Sequence, residues 1–437
     1  MKPKKILHTT QIDWIRIELK NLIDARHPLV SVSHEIHWSM FEKEFGLSFT
    51  DEGRPAVDTR LMVSLHYLKY TYDLSDEEVI ARWSENPYWQ YFSGRQYFEH
   101  GLPVDPSSLT RWRKRIGGSG AETLFKETIQ SAIKNGYLKT KDCQKVSVDT
   151  TVQTKAVRFP TDARLYDRMR SKLVKSAEVE NIQLRQTYDR VGPRSLRRQQ
   201  NYSHAKQFKR SARETRRLKT ILGRVTRDIE RKNETGSTIL KDQLDLANRL
   251  LKQERFSKEK IYSIHEPQVE CIAKGKMHKR YEFGNKVAFV VSAKKNWILG
   301  AKGFSGNPYD GHTLKESLKQ ASRLTKVAIQ WAVCDKGYRG HDVKTTEVSI
   351  VPRKKNYASL SIRKWWRRRN AIEPIIGHQK SDHRLERNQL AGKLGDEMNV
   401  MFCASGFNLK KLLRAFCAWF ELLFDSALNN NQRLRIA

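Results

Sequence analysis

Cysteine is scarce in this chain and unpaired by spacing: Cys143, Cys271, Cys334, Cys403 and Cys417 form no C-x-x-C pair. That excludes a zinc ribbon or a disulfide framework and leaves them as reduced, mostly buried small side chains. The 13 histidines are just as scattered, with no H-E-x-x-H arrangement, so any metal is expected on oxygen ligands. Long apolar runs are missing as well. The stretch from Leu412 to Leu423 is interrupted by Arg414 and Glu421, too short and too charged to span a bilayer, so no membrane association is expected. The opening MKPKKILHTTQIDW lacks the continuous apolar segment of a secretory signal. A soluble cytoplasmic protein is the expectation. Acidic residues are outnumbered, 48 Asp and Glu against 82 Lys and Arg, giving a formal net charge of +34. Such a balance favours an anionic partner, nucleic acid first. What is present suffices for two or three domains with real cores: 437 residues, 38% hydrophobic, ten of them Trp.

Along the chain, His37 to Ile116 reads as helical, with Leu61, Met62, Leu65 and Leu68 at helical spacing. Leu74-Ser75-Asp76-Glu77-Glu78 has the form of a capped helix start, and Trp83, Tyr88, Trp89, Tyr91 and Phe92 form an aromatic cluster suited to a core. Asp105-Pro106 opens a further short helix that Gly117-Gly118 closes. It carries Arg111, Arg113, Lys114 and Arg115, and suits either a helix-turn-helix-like DNA reader or a basic surface helix. Residues 145–153 are β-branched and alternate, a strand holding Asp149. A polar, basic helical stretch follows from Ala163 to Lys260, with Leu218, Ile221, Leu222, Val225 and Ile229 as a narrow apolar stripe. Strands return at 286–292 and 297–301, then a helix from His312 to Leu324. The apolar run 327–334 reads as a strand buried on both faces and ends at Asp335, where α/β sheets place their sites. A short strand at 349–352 leads into a helix bearing Glu373, which completes an α/β order with a mixed sheet.

Trp366, Arg369, Glu373 and Lys380 recur at spacings that place them on one face of a single helix. Asp149, Asp335 and Glu373, on separate elements of a strongly basic chain, suggest Mg²⁺-dependent chemistry on nucleic acid, since Mg²⁺ needs few protein ligands and two-metal phosphoryl transfer needs converging carboxylates. Each also has an ordinary reading. Asp149 could cap a turn, Asp335 could be a turn residue before Lys-Gly, and Glu373 lies three residues after Asn370, as in a capping box, with Pro374 marking a first turn or a kink. Asp162 and Asp310 fall outside the pattern.

Val148-Asp149-Thr150, Cys334-Asp335-Lys336-Gly337-Tyr338 and Arg369-x-x-x-Glu373-x-x-x-x-x-x-Lys380 together resemble the DDE transposases of bacterial insertion sequences, in the group numbered five. Gly53-Arg54-Pro55-Ala56-Val57, Leu74-Ser75-Asp76, Asn86-Pro87-Tyr88-Trp89, Phe159-Pro160-Thr161-Asp162 and Tyr281-Glu282-Phe283-Gly284 extend the likeness over nearly the whole chain. The resemblance implies an α/β, ribonuclease-H-like mixed sheet flanked by helices, with an N-terminal all-helical domain and a long helical insertion. In residues, that is a DNA-binding helical domain at 1–140, a catalytic core at 141–157 and 266–388, a basic insertion at 158–265, and C-terminal helices at 389–437. It implies a transposase that binds an element's terminal inverted repeats and performs Mg²⁺-dependent cleavage and strand transfer, with Mn²⁺ as the alternative ion. By that match Asp149, Asp335 and Glu373 are catalytic metal ligands, while Arg369 and Lys380 hold phosphates near the reacting bond. Arg111 and Arg115 are further DNA-binding candidates. Relatives usually carry Tyr in place of Trp366, so this ring is assigned to base stacking or, alternatively, core packing. The insertion also departs from relatives that place theirs later, and is assigned to DNA clamping or subunit contact. Double-stranded DNA is the expected partner, bound by a homodimer at the bacterial nucleoid. A nuclease without strand transfer and a non-catalytic DNA-binding protein are the rival classes.

Overall fold

The computed structural model describes residues 2, 17–46, 49, 52, 55–233, 238–254, 256–273, 280–352 and 359–434, with side chains as far as residue 417. The opening segment as far as residue 16, Gly53 and Arg54 therefore lie outside the described residues, apart from residue 2. Two compact units divide the chain: residues 1–154 with 285–437, and residues 155–284.

In the first unit, local sequence sets the helix starts. Asp58 accepts from the Arg60 and Leu61 N–H groups and opens Thr59–Thr71. Ser75 and Glu78 close a reciprocal capping box at Asp76–Glu85, and Asp105 with Pro106 opens Pro106–Lys134. Gly117 breaks the helical path where expected, at φ 63° and ψ −165°, which glycine adopts without strain, and a second helical run continues beyond the kink to Lys134. Arg113 departs from the expected basic surface. Its guanidinium is buried and clasps Asp76 at 2.9 and 2.6 Å, with Lys69 on the same carboxylate at 2.6 Å. Burial raises the Asp76 carboxyl, but the two cations outweigh it and hold it well below the usual range. The basic face of the helix is thus reduced to Arg111, Lys114 and Arg115.

Residues 392–434 form one helix, Gly392–Leu434, where several were expected. It packs on Thr59–Thr71 so closely that a Cβ on Gly406 would run into the Tyr70 carbonyl, and on Pro106–Lys134. One apolar core runs from these helices into the sheet.

The strands are β1 (Lys145–Thr154), β2 (Glu270–Ala273), β3 (Tyr281–Ser292), β4 (Ile298–Phe304), β5 (Trp331–Cys334) and β6 (Glu347–Ile350). The order in the first unit is β4-β3-β1-β5-β6, with β3 and β4 antiparallel and β1, β5 and β6 parallel. The helix Asp310–Thr325 covers β4, and Leu360–Arg369 lies on β5. The helix Ile372–Asp382 lies on β1.

In the second unit, Asp162–Val179, Val191–His204, Phe208–Lys232 and Thr238–Lys252 pack around their own core, which includes Leu218, Leu222, Val225 and Ile229. The antiparallel pairing of β2 with residues 281–284 of β3 completes it. Among the described residues no helix is long and apolar enough to cross a membrane.

Candidate active site

Strand register brings the first two carboxylates together. In the parallel pair β1 and β5, Ser147 faces Val333, so two residues further the same register reaches Asp149 and Asp335. Neighbouring strands lie about 4.8 Å apart, and side chains in register share a face. β5 ends at Cys334, and Asp335 caps the tight turn Lys336–Tyr338 by accepting from the Gly337 N–H at 2.9 Å. Glycine is needed there, because a Cβ on Gly337 would lie 2.8 Å from an Asp310 oxygen and 3.1 Å from an Asp335 oxygen. Tyr338 is fully buried and pins the turn to the core.

The third carboxylate arrives from two helices rather than one. Leu360–Arg369 and Ile372–Asp382 are separated at Asn370 and Ala371, since Pro374 has no N–H to donate back to Asn370. The single continuous face expected for Trp366, Arg369, Glu373 and Lys380 is therefore split. Trp366 turns into the sheet, 7% exposed against Trp331 and Val333, and its indole N–H donates to Ser349 at 3.0 Å. That placement is core packing and keeps the ring away from any base. Arg369 ends its helix and Glu373 starts the next, in the first turn where the helix dipole favours a carboxylate.

Arg369 gathers all three acids. Its guanidinium lies 2.7 Å from Asp149, 3.8 Å from Asp335 and 3.5 Å from Glu373, with side-chain exposure rising from 15% to 42% to 66% across the three acids. Burial pushes the Asp149 carboxyl up to about 6, and the neighbouring Asp335 and Asp310 charges add to that. Arg369 and the Thr150 N–H oppose the rise without overcoming it. Removing Asp149 from water thus costs more than the adjacent guanidinium offsets. Among the described residues no three His, Cys, Asp or Glu side chains close directly on one point as metal ligands would; Arg369 stands between the three acids. An all-oxygen set of three carboxylates already sharing a cation has the chemistry that a hard divalent ion requires.

A fourth carboxylate, missed by the sequence pattern, belongs to this cluster. Asp310, in the first turn of its helix, accepts from the Thr150 hydroxyl at 2.8 Å and pairs with Lys286 at 2.9 Å. Contrary to the expectation from sequence, it therefore does not fall outside the pattern. The available signal was its place in a Pro-Tyr-Asp-Gly turn after a strand, which marks a helix start as readily as a site. Asp162 belongs to the second unit, 3.7 Å from Lys260. Lys380 is half-buried on the Ile372–Asp382 helix. Arg111 is exposed beside Ser107 at 2.8 Å, and Arg115 lies over the Phe49 ring at 4.7 Å.

Residues 17–115 match a family described as "Transposase domain (DUF772)". A curated relative from Rhizobium meliloti, "Uncharacterized protein ORF8 in nfe locus", is 47% identical over 196 residues, which are 45% of this chain and 95% of that protein. No solved structure matches the chain.

Proposed function

Residues 17–115 carry a transposase-family domain, and from that premise we propose that the chain cuts and joins DNA at the ends of its own element by Mg²⁺-dependent phosphoryl transfer at Asp149, Asp335 and Glu373. The observation that carries this reading is the meeting of those three side chains on the single guanidinium of Arg369. Three acids around one base leave negative charge to be met by something else. The mixed sheet, with two of the acids on adjacent parallel strands, supports a ribonuclease-H-like core of the kind the DDE motif implies.

Asp149, Asp335 and Glu373 would hold the ion. Bound Mg²⁺ supplies charge that activates an attacking oxygen and stabilises a leaving one. The chain's own groups do the rest. Arg369, released from the acids, can take a phosphate with two parallel N–H bonds. Lys380 would add a point charge for the scissile-strand phosphate and so favour in-line attack. Asp310 holds the Thr150 hydroxyl, whose own N–H supports Asp149 at 2.8 Å. Arg111 and Arg115 would contact the backbone of the element's end, with two copies of the chain acting on one pair of ends.

Cleavage kinetics test the assignment. Asp149→Asn, Asp335→Asn and Glu373→Gln should each slow cleavage by roughly 10³-fold or more while end binding survives, because several kcal/mol of transition-state stabilisation depend on each ligand. Asp162→Asn should cut at the wild-type rate. Loss of cutting in Asp162→Asn with retention in Asp149→Asn would overturn the proposal.

A further inference from the structure

We propose that the Phe208–Lys232 helix of the second unit is a duplex-DNA backbone clamp, built as a ridge of arginines that reads charge and not sequence. The inference rests on the reading of DNA as this protein's partner and assigns that partner a second surface outside the carboxylate site. The helix is divided lengthwise. Leu218, Ile221, Leu222, Val225 and Ile229 are buried in the unit's core. Arg213, Arg216, Arg217, Arg224, Arg227 and Arg231 are all exposed. At about 100° per residue the six arginines fall within roughly 60° of one line, opposite the apolar stripe, and from Arg213 to Arg231 that line runs about 27 Å. A row of that length matches several successive phosphates on one DNA strand.

A solubilising face would mix charges of both signs. This one does not. Of the nearby acids, Glu214 and Asp228 are buried and meet Arg217 at 3.9 Å and Arg231 at 3.5 Å from beneath, while the exposed Glu230 sits about 90° off the ridge line and accepts from the Asn248 amide at 2.7 Å. Among the described residues Arg213, Arg216 and Arg227 have no carboxylate partner. Among the described residues no aromatic ring lies on the ridge line: Phe208, exposed at the helix start, falls about 130° away from it, and Tyr188 meets Arg224 through its hydroxyl at 3.4 Å. With no ring on which unpaired bases could stack, the ridge favours the backbone of a duplex over a single strand. Arginine throughout suits phosphate geometry better than lysine would.

The test uses the full chain and a labelled 30-base-pair duplex of unrelated sequence, with binding measured by anisotropy across a salt series. Removing half the ridge in the triple variant Arg213→Gln, Arg216→Gln, Arg227→Gln spares the two arginines that pair with buried acids. A second triple variant, Lys175→Gln, Lys241→Gln, Arg249→Gln, lowers the charge of the same unit equally at exposed positions on other helices. The ridge variant should bind about tenfold or more weakly near 0.1 M salt, and its log–log salt slope should flatten by about 2 to 3, close to 0.9 for each phosphate that is no longer neutralised. The second variant should keep the wild-type slope. Equal slopes in the two variants, or a ridge variant that binds like wild type, would overturn the clamp and leave the carboxylate reading standing. A ridge variant that changes only the protein's oligomeric state would make the ridge a contact between copies and also overturn it. A wild-type chain with no affinity for any duplex would sink both readings.

Discussion

Replacing Asp149 with Asn should abolish cleavage and, in the absence of metal, make the protein more stable near neutral pH. The Asp149 carboxyl is 15% exposed, and burial holds it at about 6 against an ordinary 3.8. Ionising it in the folded state therefore costs about 3 kcal/mol more than in the unfolded chain, at about 1.4 kcal/mol per pH unit. The raised value already includes the 2.7 Å bond from Arg369, so Asn, neutral and of nearly the same shape, removes that net cost. A gain of up to about 3 kcal/mol follows. The sign fixes the pH window. A carboxyl raised on folding binds its proton more tightly in the native state, so the destabilisation is complete above about pH 6 and is relieved as pH falls towards 4. The advantage of the Asn variant should be clear at pH 8 and gone by about pH 4. Unfolding in a chelator at both pH values, followed by a probe in the sheet-bearing unit, measures it. Adding Mg²⁺ at pH 8 should then reverse the order, because only the wild-type chain gains stability from binding. An Asn variant less stable than wild type at pH 8 without metal would show that the Arg369 ion pair outweighs burial, and would refute the reasoning.

Asp310→Asn should slow cleavage by roughly 10- to 100-fold, less than loss of a ligand, because it supports Asp149 through Thr150; a wild-type rate would remove it from the site. Trp366→Ala should cost about 3 to 5 kcal/mol of stability through the cavity it leaves against Trp331 and Val333, with no separate loss of DNA affinity in the folded fraction. Lys380→Ala should lower the cleavage rate without changing the Mg²⁺ requirement, and Lys380→Arg should partly restore it; unchanged kinetics in the alanine variant would assign Lys380 to the surface. Arg111→Ala and Arg115→Ala should each flatten the salt slope of end binding by about one unit if each contacts one phosphate, and unchanged slopes would leave both as solvated surface.

Much of this was legible in the sequence because the relevant signals are local. Ser75 with Glu78, and Asp105 before Pro106, satisfy helix N-termini within a few residues, and both starts are found where the sequence places them. The alternation around Asp149 and the apolar run before Asp335 mark strands by burial alone. What the sequence could not supply depends on neighbours far along the chain. Arg113 looks like its exposed neighbours Lys114 and Arg115, and only the approach of Asp76 and Lys69 from other helices explains its burial. Helical spacing put Trp366, Arg369, Glu373 and Lys380 on one line, but Pro374 breaks the helix between them, so the ring packs inward while Arg369 and Glu373 meet beside Asp149 and Asp335. Asp310 lies 160 residues beyond Thr150 and joins the site only through the path of the sheet. The arrival of Asp149 and Asp335 at Arg369 is of the same kind, whereas the Arg369–Glu373 contact, four residues apart, follows from helical spacing.

Purified protein incubated with Mg²⁺ and a labelled fragment carrying its own element's end tests the central claim most directly. Strands cut at the element boundary and then joined to target DNA, absent in chelator and absent in Asp335→Asn, are the predicted products. Binding without any cut strand, or cutting that persists in chelator or in Asp335→Asn, would contradict a metal-dependent site at these carboxylates.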